Sequence, residues 1–302
     1  MRCARRSLLL AGGLAALAGC STSNPVTGAS SGTSASTSGL VVGSQQYYSN
    51  EIIAELFAQR LEGAGFTVTR QYQIGQREVY LPEMTAGRID VMPEYGGNLL
   101  QFYDKNTSAK DSAAVHAALP GVLPKGLRVL DAAQATDQDS YTVTRATADR
   151  YQLSSIGDLP KIGRAITIAA NSEFASRPYG PDELKSQYGV QASVVGVEDS
   201  GGPLTVKALT DGKVDVADIY TADPAITTQN LVVLDDPKGL ILPQDVTPLV
   251  SAAVDDKAAQ AISAVIAKLT TDELRGLNAQ STTQQKKSAE IAKSWLAAKG
   301  LG

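Results

Sequence analysis

Residues 83–95 read EMTAGRIDVMPEY, and residues 208–220 read ALTDGKVDVADIY. The two segments share the pattern Thr-x-Gly-basic-β-branched-Asp-Val-x-x-x-Tyr. This pattern predicts a helix that ends at a left-handed Gly, followed by a short buried strand with a Tyr at its carboxyl end. Ligands of open α/β sheets bind at the carboxyl ends of strands, so two such units predict a cleft with Tyr95 on one side and Tyr220 on the other. The alternative is a supersecondary unit that the chain reuses for packing alone.

The chain begins with the parts of a secretory signal. Arg2, Arg5 and Arg6 precede an apolar run that is too short to span a bilayer as a stable helix. Small residues then precede Cys20, as in the bacterial lipobox, in which the Cys is lipidated and becomes the mature N-terminus. We therefore interpret residues 1–19 as a lipoprotein signal peptide and Cys20 as the lipidation site. The segment around Arg5 and Arg6 also weakly resembles a twin-arginine signal, which leaves the export route open.

Residues 20–39 consist mostly of Ser, Thr, Gly and Ala, a composition typical of a flexible tether. Cys3 leaves with the signal, so Cys20 is the only mature cysteine and an intramolecular disulfide is excluded. Loss of the three signal arginines lowers the formal net charge from −4 to −7. An acidic surface argues against binding to nucleic acid and against a basic membrane-binding face.

The rest of the chain alternates predicted strands and helices, which indicates an α/β fold with mostly parallel sheets. The spacing of the repeat predicts two lobes, with the repeat's strands at 88–92 and 214–219. We expect the chain to cross between the lobes near 133–139 and 242–247. Residues 40–136 and 246–302 then form the first lobe, and residues 137–245 form the second.

The chemically active residue types do not form a catalytic motif. His116 is the only His, and it lies in an Ala-rich helical stretch. A zinc-ligand cluster, a Gly-x-Ser-x-Gly elbow and a phosphate-binding loop are all missing from the sequence. The segment Ser200-Gly201-Gly202 before a helix is better explained as a helix cap than as an anion site. We therefore expect a binding protein without a cofactor or a metal, rather than an enzyme.

Tyrosine dominates the aromatic residues, with eleven Tyr against four Phe and one Trp. Tyrosine combines a π face with a polar rim, which suits a wet cleft. A box of such faces attracts a cation that cannot donate hydrogen bonds, such as a quaternary ammonium group, by about 0.5–2 kcal/mol per face. For a single Tyr, packing is the simpler explanation, whereas for the matched pair Tyr95 and Tyr220 we favour the cleft.

Six short motifs carry a family resemblance through their order and spacing. They are Val42-Gly43-Ser44, Pro93-Glu94-Tyr95-Gly96-Gly97, Asp139-Ser140-Tyr141, Glu173-Phe174-x-x-Arg177-Pro178, Asp215-Val216-x-Asp218-x-Tyr220 and Val232-Val233-Leu234-Asp235-Asp236-x-Lys238-Gly239. Together they make residues 40–302 similar to the substrate-binding lipoproteins of ABC importers for glycine betaine, choline and carnitine, the ProX/OpuC-like group. The resemblance implies a two-lobed, type II periplasmic-binding-protein-like α/β fold, with a ligand cleft between the lobes and a two-segment hinge.

The resemblance also implies a ligand site. In this family an aromatic box holds the trimethylammonium head, and a basic or polar group holds the carboxylate or hydroxyl end. Carried onto this chain, Tyr95, Tyr141 and Tyr220 are the box walls, with Asp139 beside them. Arg177 matches the family's carboxylate-binding Arg, whose planar fork suits a bidentate contact with an anion.

Three positions depart from the family's pattern. Gln45 stands where the family often has Lys, and it can donate hydrogen bonds without supplying charge. Asn98 replaces a hydroxyl residue, and Gln244 stands where a fourth box Tyr is expected. We therefore expect a box that is open on one side unless Tyr48 or Tyr179 compensates.

These inferences predict a monomeric, lipid-anchored, extracytoplasmic solute-binding component of an ABC importer. It would capture a quaternary-ammonium compatible solute and deliver it to a permease in the membrane. One alternative is the same scaffold binding a different polar or uncharged small solute, because the box is incomplete. A further alternative, from another class, is an enzyme that acts on a small metabolite.

Overall fold

The computed structural model describes residues 39–302, so the predicted signal segment, Cys20 and nearly all of the tether lie outside the described residues. Over residues 39–302, every helix is too short or too polar to cross a membrane. Two five-stranded sheets organise this part of the chain, and each forms the centre of one lobe.

The first lobe takes its strands from both ends of the described chain. They are β1 (Leu40–Gly43), β2 (Val68–Gln71), β3 (Val91–Tyr95), β4 (Leu127–Val129) and β10 (Val246–Ser251). The sheet order is β2-β1-β3-β10-β4, in which β1 is parallel to both of its neighbours and β10 is antiparallel to both of its own. The helices of this lobe are α1 (Tyr48–Gly63), α2 (Arg77–Thr85), α3 (Gly96–Tyr103), α4 (Ser112–Val122), α9 (Asp256–Ile266), α10 (Thr271–Thr282) and α11 (Ser288–Ala298).

The second lobe repeats this arrangement with the middle of the chain. Its strands are β5 (Tyr141–Thr144), β6 (Ile166–Ala170), β7 (Ala192–Gly196), β8 (Val216–Asp218) and β9 (Leu231–Val233). The sheet order is β7-β6-β8-β5-β9, with β6 parallel to both neighbours and β5 antiparallel to both. The helices are α5 (Arg145–Tyr151), α6 (Pro181–Tyr188), α7 (Pro203–Thr210) and α8 (Ala225–Thr228), with 3₁₀ turns at Ile156–Ile162 and Ser172–Ser176.

Helix α1 shows how apolar spacing builds the first core. Ile52, Ile53, Leu56 and Phe57 are at most 1% exposed, and they recur at the i, i+3, i+4 spacing of one helix face. This face packs in one core with residues of α9 and α11, so the C-terminal helices belong to the first lobe.

The two copies of the repeat occupy equivalent places. Strands β3 and β8 each lie between a central parallel strand and an antiparallel strand. Gly87 and Gly212, with φ angles of 70° and 69°, follow the ends of α2 and α7 in the left-handed conformation that favours glycine. Both units therefore end with a Tyr at the carboxyl side of the sheet.

The strands of the repeat are displaced from the prediction. β3 begins at Val91 rather than at residue 88, and β8 covers only Val216–Asp218. The cause is the Asp of the motif, whose carboxylate takes over hydrogen bonds to the neighbouring strand. Asp90 accepts from the backbone N–H of Val41 at 2.8 Å, and Asp215 accepts from that of Thr167 at 3.0 Å.

Two chain segments connect the lobes, and they pair with each other. The backbone N–H of Ala133 donates to the Val246 carbonyl, that of Val246 donates to the Ala135 carbonyl, and that of Asp137 donates to the Gln244 carbonyl. A short antiparallel bridge joins Thr136 to Asp245. The connection is therefore a narrow two-stranded ribbon, and both strands must bend together if the lobes rotate.

Candidate functional site

A narrow cleft with a cavity of about 30 Å³ lies between the lobes at the carboxyl ends of the parallel strands. The first lobe lines it with side chains that follow β1, precede or begin α2, or end or follow β3, namely Gln45, Tyr47, Gln76, Arg77, Tyr95 and Asn98. The crossing segment and the second lobe line it with Asp137, Asp139, Asn171, Glu173, Phe174, Arg177, Tyr179, Asp218 and Tyr220. The cleft thus combines aromatic, carboxyl, guanidinium and amide groups.

Three tyrosine rings form a cluster that joins the two lobes. The ring of Tyr47 is stacked on that of Tyr95 with centroids 6.4 Å apart, and it meets the ring of Tyr220 edge-on at 5.2 Å. Burial raises the pKa of all three phenols above the ordinary value, so these rings are neutral at physiological pH. The buried hydroxyl of Tyr95 makes no hydrogen bond within the described chain. The matched tyrosines of the repeat, Tyr95 and Tyr220, therefore both line the cleft.

A second aromatic pair lies in the second lobe. Phe174 and Tyr179 line the cleft and pack edge-on with centroids 5.6 Å apart. Tyr179 is one of the two residues expected to compensate for an open box, and it lies at the cleft. The other, Tyr48, lies outside the lining and donates its hydroxyl to Asp223 at 2.6 Å.

Tyr141 does not line the cleft, contrary to its expected role as a box wall. Its side chain is 1% exposed, its hydroxyl donates to the Tyr179 carbonyl at 2.5 Å, and its ring packs edge-on against Phe174 at 5.9 Å. Tyr141 therefore stands behind the aromatic pair and holds it in place.

Gln244 also lies outside the cleft lining, which corrects its expected position as the missing wall. The side chain is fully buried. Its Oε1 accepts from the backbone N–H of Asn98 at 2.9 Å, and its Nε2 donates to Asn98 Oδ1 at 3.0 Å and to the Leu242 carbonyl at 2.9 Å. Gln244 thus fixes Asn98, which does line the cleft.

Gln45 lines the cleft from the turn that follows β1. Its backbone N–H donates to Asn50 Oδ1 at 2.9 Å, which anchors the turn after β1. Its side chain lines the cleft, and the buried Nε2 has no partner among the described residues. A buried unpaired amide costs about 1–3 kcal/mol, so a ligand oxygen at this point would recover that energy.

Arg177 lines the cleft and is already paired across it. Its Nη1 lies 3.1 Å from Oε1 of Glu78 on α2, so the contact joins the second lobe to the first. The Arg177 side chain is 13% exposed, whereas that of Glu78 is 53% exposed. Two further contacts join the lobes near the cleft, from Gln46 Nε2 to Ser200 Oγ at 3.2 Å and from Tyr48 to Asp223.

Arg77 is a second guanidinium that the sequence reading missed. Its Nη2 lies 2.7 Å from Oε2 of the fully buried Glu94, and Tyr80 donates its hydroxyl to the same carboxylate at 2.5 Å. The positive charge of Arg77 is therefore balanced inside the first lobe.

Four carboxyl side chains line the cleft: Asp137, Asp139, Glu173 and Asp218. Only Asp139 was expected at the site. The sequence contained a signal for the two other aspartates, since Asp137 stands two residues before Asp139 and Asp218 two residues before Tyr220. Among residues 39–302, no group of three or more His, Cys, Asp or Glu side chains is arranged to hold a metal ion.

A two-lobed α/β protein with a polar and aromatic cleft at the hinge is the architecture of a solute-binding protein. The family model for the substrate-binding domain of ABC-type glycine betaine transport systems matches residues 38–298. The chain belongs to this family. Its members are solute-binding proteins rather than enzymes, and they work with an ABC permease in the membrane.

Individual relatives support the same assignment. The chain is 26% identical over 275 residues to the glycine betaine-binding protein YehZ of Escherichia coli (strain K12), which covers 86% of this chain and 90% of that protein. The solved apo structure of YehZ superimposes with a TM-score of 0.64 and 25% identity, over 88% of this chain and 100% of the other. The crystal structure of a glycine betaine/carnitine/choline ABC transporter protein gives a TM-score of 0.70 over 87% of this chain and 99% of the other, and at 21% identity it shows the fold alone.

Proposed function

We propose that this chain captures a quaternary-ammonium compatible solute of the glycine betaine, choline or carnitine type and delivers it to an ABC permease. The observation that carries the proposal is the cluster of Tyr47, Tyr95 and Tyr220, which brings neutral π faces from both lobes to one cleft. A trimethylammonium group has no N–H to donate, so it is attracted by ring faces and gains little from a hydrogen-bond acceptor.

The polar end of the solute would lie toward the donors of the cleft. Gln45 Nε2 is buried and has no hydrogen-bond partner within residues 39–302, and Arg177 lines the cleft with a planar fork that fits a carboxylate or a hydroxyl oxygen. Because each lobe contributes both rings and donors to the cleft, a bound solute makes more contacts when the lobes are closed. Ligand binding would therefore favour closure around the two-stranded ribbon.

We further propose that Cys20 is lipidated and anchors the protein on the outer face of the cell membrane. The support is the lipobox-like sequence before Cys20 and the Ser- and Gly-rich tether after it. A tether of this kind would let the binding lobes reach the permease while they stay close to the membrane. The binding lobes would act as a monomer.

Calorimetry against a small panel tests the proposed ligand class. The panel contains choline, glycine betaine, carnitine, a neutral polyol and 3,3-dimethylbutan-1-ol, which has the shape of choline without its charge. We expect at least one trimethylammonium compound to bind more tightly than 3,3-dimethylbutan-1-ol by at least tenfold, because only the charged compound gains from the ring faces. Equal binding of choline and the neutral analogue would refute the aromatic cage, that is, binding of the cation by the ring faces of Tyr47, Tyr95 and Tyr220.

One observation favours a second candidate, an uncharged polar solute. Four amide side chains line the cleft beside the aromatic rings, namely Gln45, Gln76, Asn98 and Asn171. Amides both donate and accept hydrogen bonds, so they suit a hydroxyl-rich ligand. Tight binding of the polyol without binding of any trimethylammonium compound would select this candidate.

A further inference from the structure

The cleft contains more negative than positive groups, and its positive groups are already neutralised. Four carboxyl side chains line it against two guanidinium groups. Arg77 is paired with the buried Glu94 at 2.7 Å, and Arg177 is paired with Glu78 at 3.1 Å. Neither guanidinium is therefore available to balance the carboxyl groups without giving up a partner.

Three of the four carboxyl groups are buried and form what we call the acidic cluster: Asp137, Asp139 and Asp218, which are 5–6% exposed. Their hydrogen-bond partners are all neutral. Asp137 accepts from Ser49 Oγ and from the Ala222 backbone N–H, both at 3.0 Å, Asp139 accepts from Asn98 Nδ2 at 2.7 Å, and Asp218 accepts from the Ser140 backbone N–H at 3.1 Å. Within residues 39–302 none of the three forms a salt bridge.

Burial without a neighbouring cation disfavours the charged form of a carboxyl group, so two members of the cluster, Asp137 and Asp218, bind a proton more readily than an exposed aspartate does. Burial raises the pKa of Asp137 to about 7, and Asp139 and Asp223 on neighbouring segments add to the rise. Burial also raises the pKa of Asp218 well above its ordinary value, with further contributions from Asp139 and Glu173. The phenols of Tyr47, Tyr48 and Tyr95 also face Asp137. Those of Tyr141, Tyr179 and Tyr220 face Asp218. Burial raises the pKa of each of these phenols, so all of them are neutral.

The aromatic rings and the acidic cluster line the same cleft, so one bound group meets both. A solute with a single positive charge satisfies the rings and the carboxylates together. A betaine brings its own carboxylate into a site that already contains four carboxyl groups, and both guanidinium groups there, Arg77 and Arg177, are already paired with glutamates. The charge balance therefore distinguishes two solutes that the aromatic cage alone would treat alike.

We propose that this cleft selects solutes with a net positive charge, such as trimethylammonium alcohols, over zwitterionic betaines, and that binding of the cation releases a proton from the acidic cluster to solvent. This inference rests on the proposed function, because it assumes that the cage takes a quaternary ammonium group. It specifies which members of that class are bound, and it makes affinity depend on pH. As the pH falls below the raised pKa values, protons compete with the cation and the affinity for the cation falls.

Calorimetry of choline and glycine betaine on the purified protein tests the selection. At pH 8 we expect choline to bind at least tenfold more tightly than glycine betaine, a difference of about 1.4 kcal/mol. Between pH 8 and pH 6 the affinity for choline should fall by up to about tenfold per pH unit. Titrations in phosphate and in Tris, whose ionisation enthalpies differ, should give different apparent binding enthalpies for choline because a proton is released to the buffer.

Two variants assign the effect to the cluster. Asp218→Asn keeps an acceptor for the Ser140 N–H and removes one charge, so the preference for choline over glycine betaine should shrink by about tenfold, along with the proton release. Asp149→Asn makes the same change at a side chain that is 69% exposed in the same lobe, and it should alter neither. Asp139→Asn provides a second test within the cluster if Asp218→Asn does not fold, as judged by thermal unfolding.

The possible results distinguish failure of this inference from failure of the proposed function. Binding of glycine betaine as tight as, or tighter than, that of choline overturns the inference and leaves the proposed function intact. A preference for choline that persists unchanged in the folded cluster variants also overturns it. Absence of binding by both compounds, and by tetramethylammonium, overturns the proposed function and this inference with it.

Discussion

Truncation of Tyr47 to Ala should weaken binding of choline by about ten- to four-hundredfold. The ring of Tyr47 lies between Tyr95 and Tyr220, 6.4 Å from one centroid and 5.2 Å from the other. One lost ring face in a desolvated site costs about 1–2 kcal/mol, and the lost edge contact that positions Tyr220 costs about 0.5–1.5 kcal/mol. The sum corresponds to the expected change in the dissociation constant at about 1.4 kcal/mol per tenfold.

Two further variants distinguish the ring face from other effects. Tyr47→Phe keeps the face and should change the affinity for choline by less than about threefold. Tyr103→Ala removes a half-buried ring of the same lobe that packs edge-on against Phe102 outside the cleft, and it should leave binding unchanged. Removal of a buried ring costs about 3–5 kcal/mol of stability. Calorimetry is therefore done at a temperature at which urea denaturation shows each variant to be folded.

A folded Tyr47→Ala variant that binds choline like the original protein would refute the contact between the cation and this ring. That contact would also be refuted if Tyr47→Phe lost as much affinity as Tyr47→Ala, because the hydroxyl rather than the ring face would then carry the interaction. A parallel titration with 3,3-dimethylbutan-1-ol controls for simple loss of apolar contact. The loss of affinity should be larger for the cation than for this neutral analogue.

Arg177→Ala should weaken binding of glycine betaine by about ten- to hundredfold and binding of choline by less, since a charge-assisted hydrogen bond contributes about 1.5–3 kcal/mol. If calorimetry shows equal losses for the two compounds, Arg177 acts in lobe closure through Glu78 instead. Asp137→Asn should raise the free energy of unfolding at pH 8 by up to about 4 kcal/mol and by less at pH 5. The folded-state pKa of Asp137, about 7, lies above its unfolded-state pKa, so the original protein loses stability as the pH rises from the lower pKa to the higher. An unchanged or lower free energy of unfolding for Asp137→Asn in urea denaturation at pH 8 would contradict this prediction. Gln244→Tyr should lower the free energy of unfolding by about 2–4 kcal/mol without tightening ligand binding, because the new ring overpacks a buried site and removes the acceptor of the Asn98 N–H. Tighter binding of choline would contradict the placement of Gln244 outside the cleft. Cys20→Ala should release the protein from membranes or leave it unprocessed in cell fractionation, and a processed variant that stays membrane-bound would contradict the lipid anchor.

Patterns within single segments of the sequence were enough to predict the α/β class, the repeated unit and two cleft tyrosines. The Gly positions of the repeat report a left-handed backbone, and the apolar spacing of α1 reports a buried helix face, because both are local properties. Helix α3 shows where local reasoning fails, because its first two residues are glycines. Its position is fixed by close packing, since a Cβ on Gly97 would lie 2.6 Å from the Pro243 carbonyl oxygen and 2.7 Å from Gln244 Nε2.

The direction in which a side chain points depends on the sheet that surrounds it. Tyr141 and Val143 share one face of β5, and both are buried in the core of the second lobe, so Tyr141 cannot also face the cleft. Its sequence motif carries no sign of this, because a Tyr at the start of a strand fits either face. Tyr47, in contrast, lines the cleft although no sequence motif predicted it there. It follows β1 in a turn anchored by Asn50, and that turn brings its ring between the two predicted tyrosines.

The sequence alone therefore determined the type of each lobe and one tyrosine per lobe at the cleft, because the repeat encodes a helix, a Gly and a strand within thirteen residues. The tertiary structure alone decided the charge balance of the site. Arg177 and Glu78 are 99 residues apart in the sequence. Asp139 and Asp218 lie at or near the ends of two different strands. The members of each pair are therefore close only in the folded chain. Electrostatic energy depends on distance and burial, and neither quantity is encoded in any single segment of the sequence.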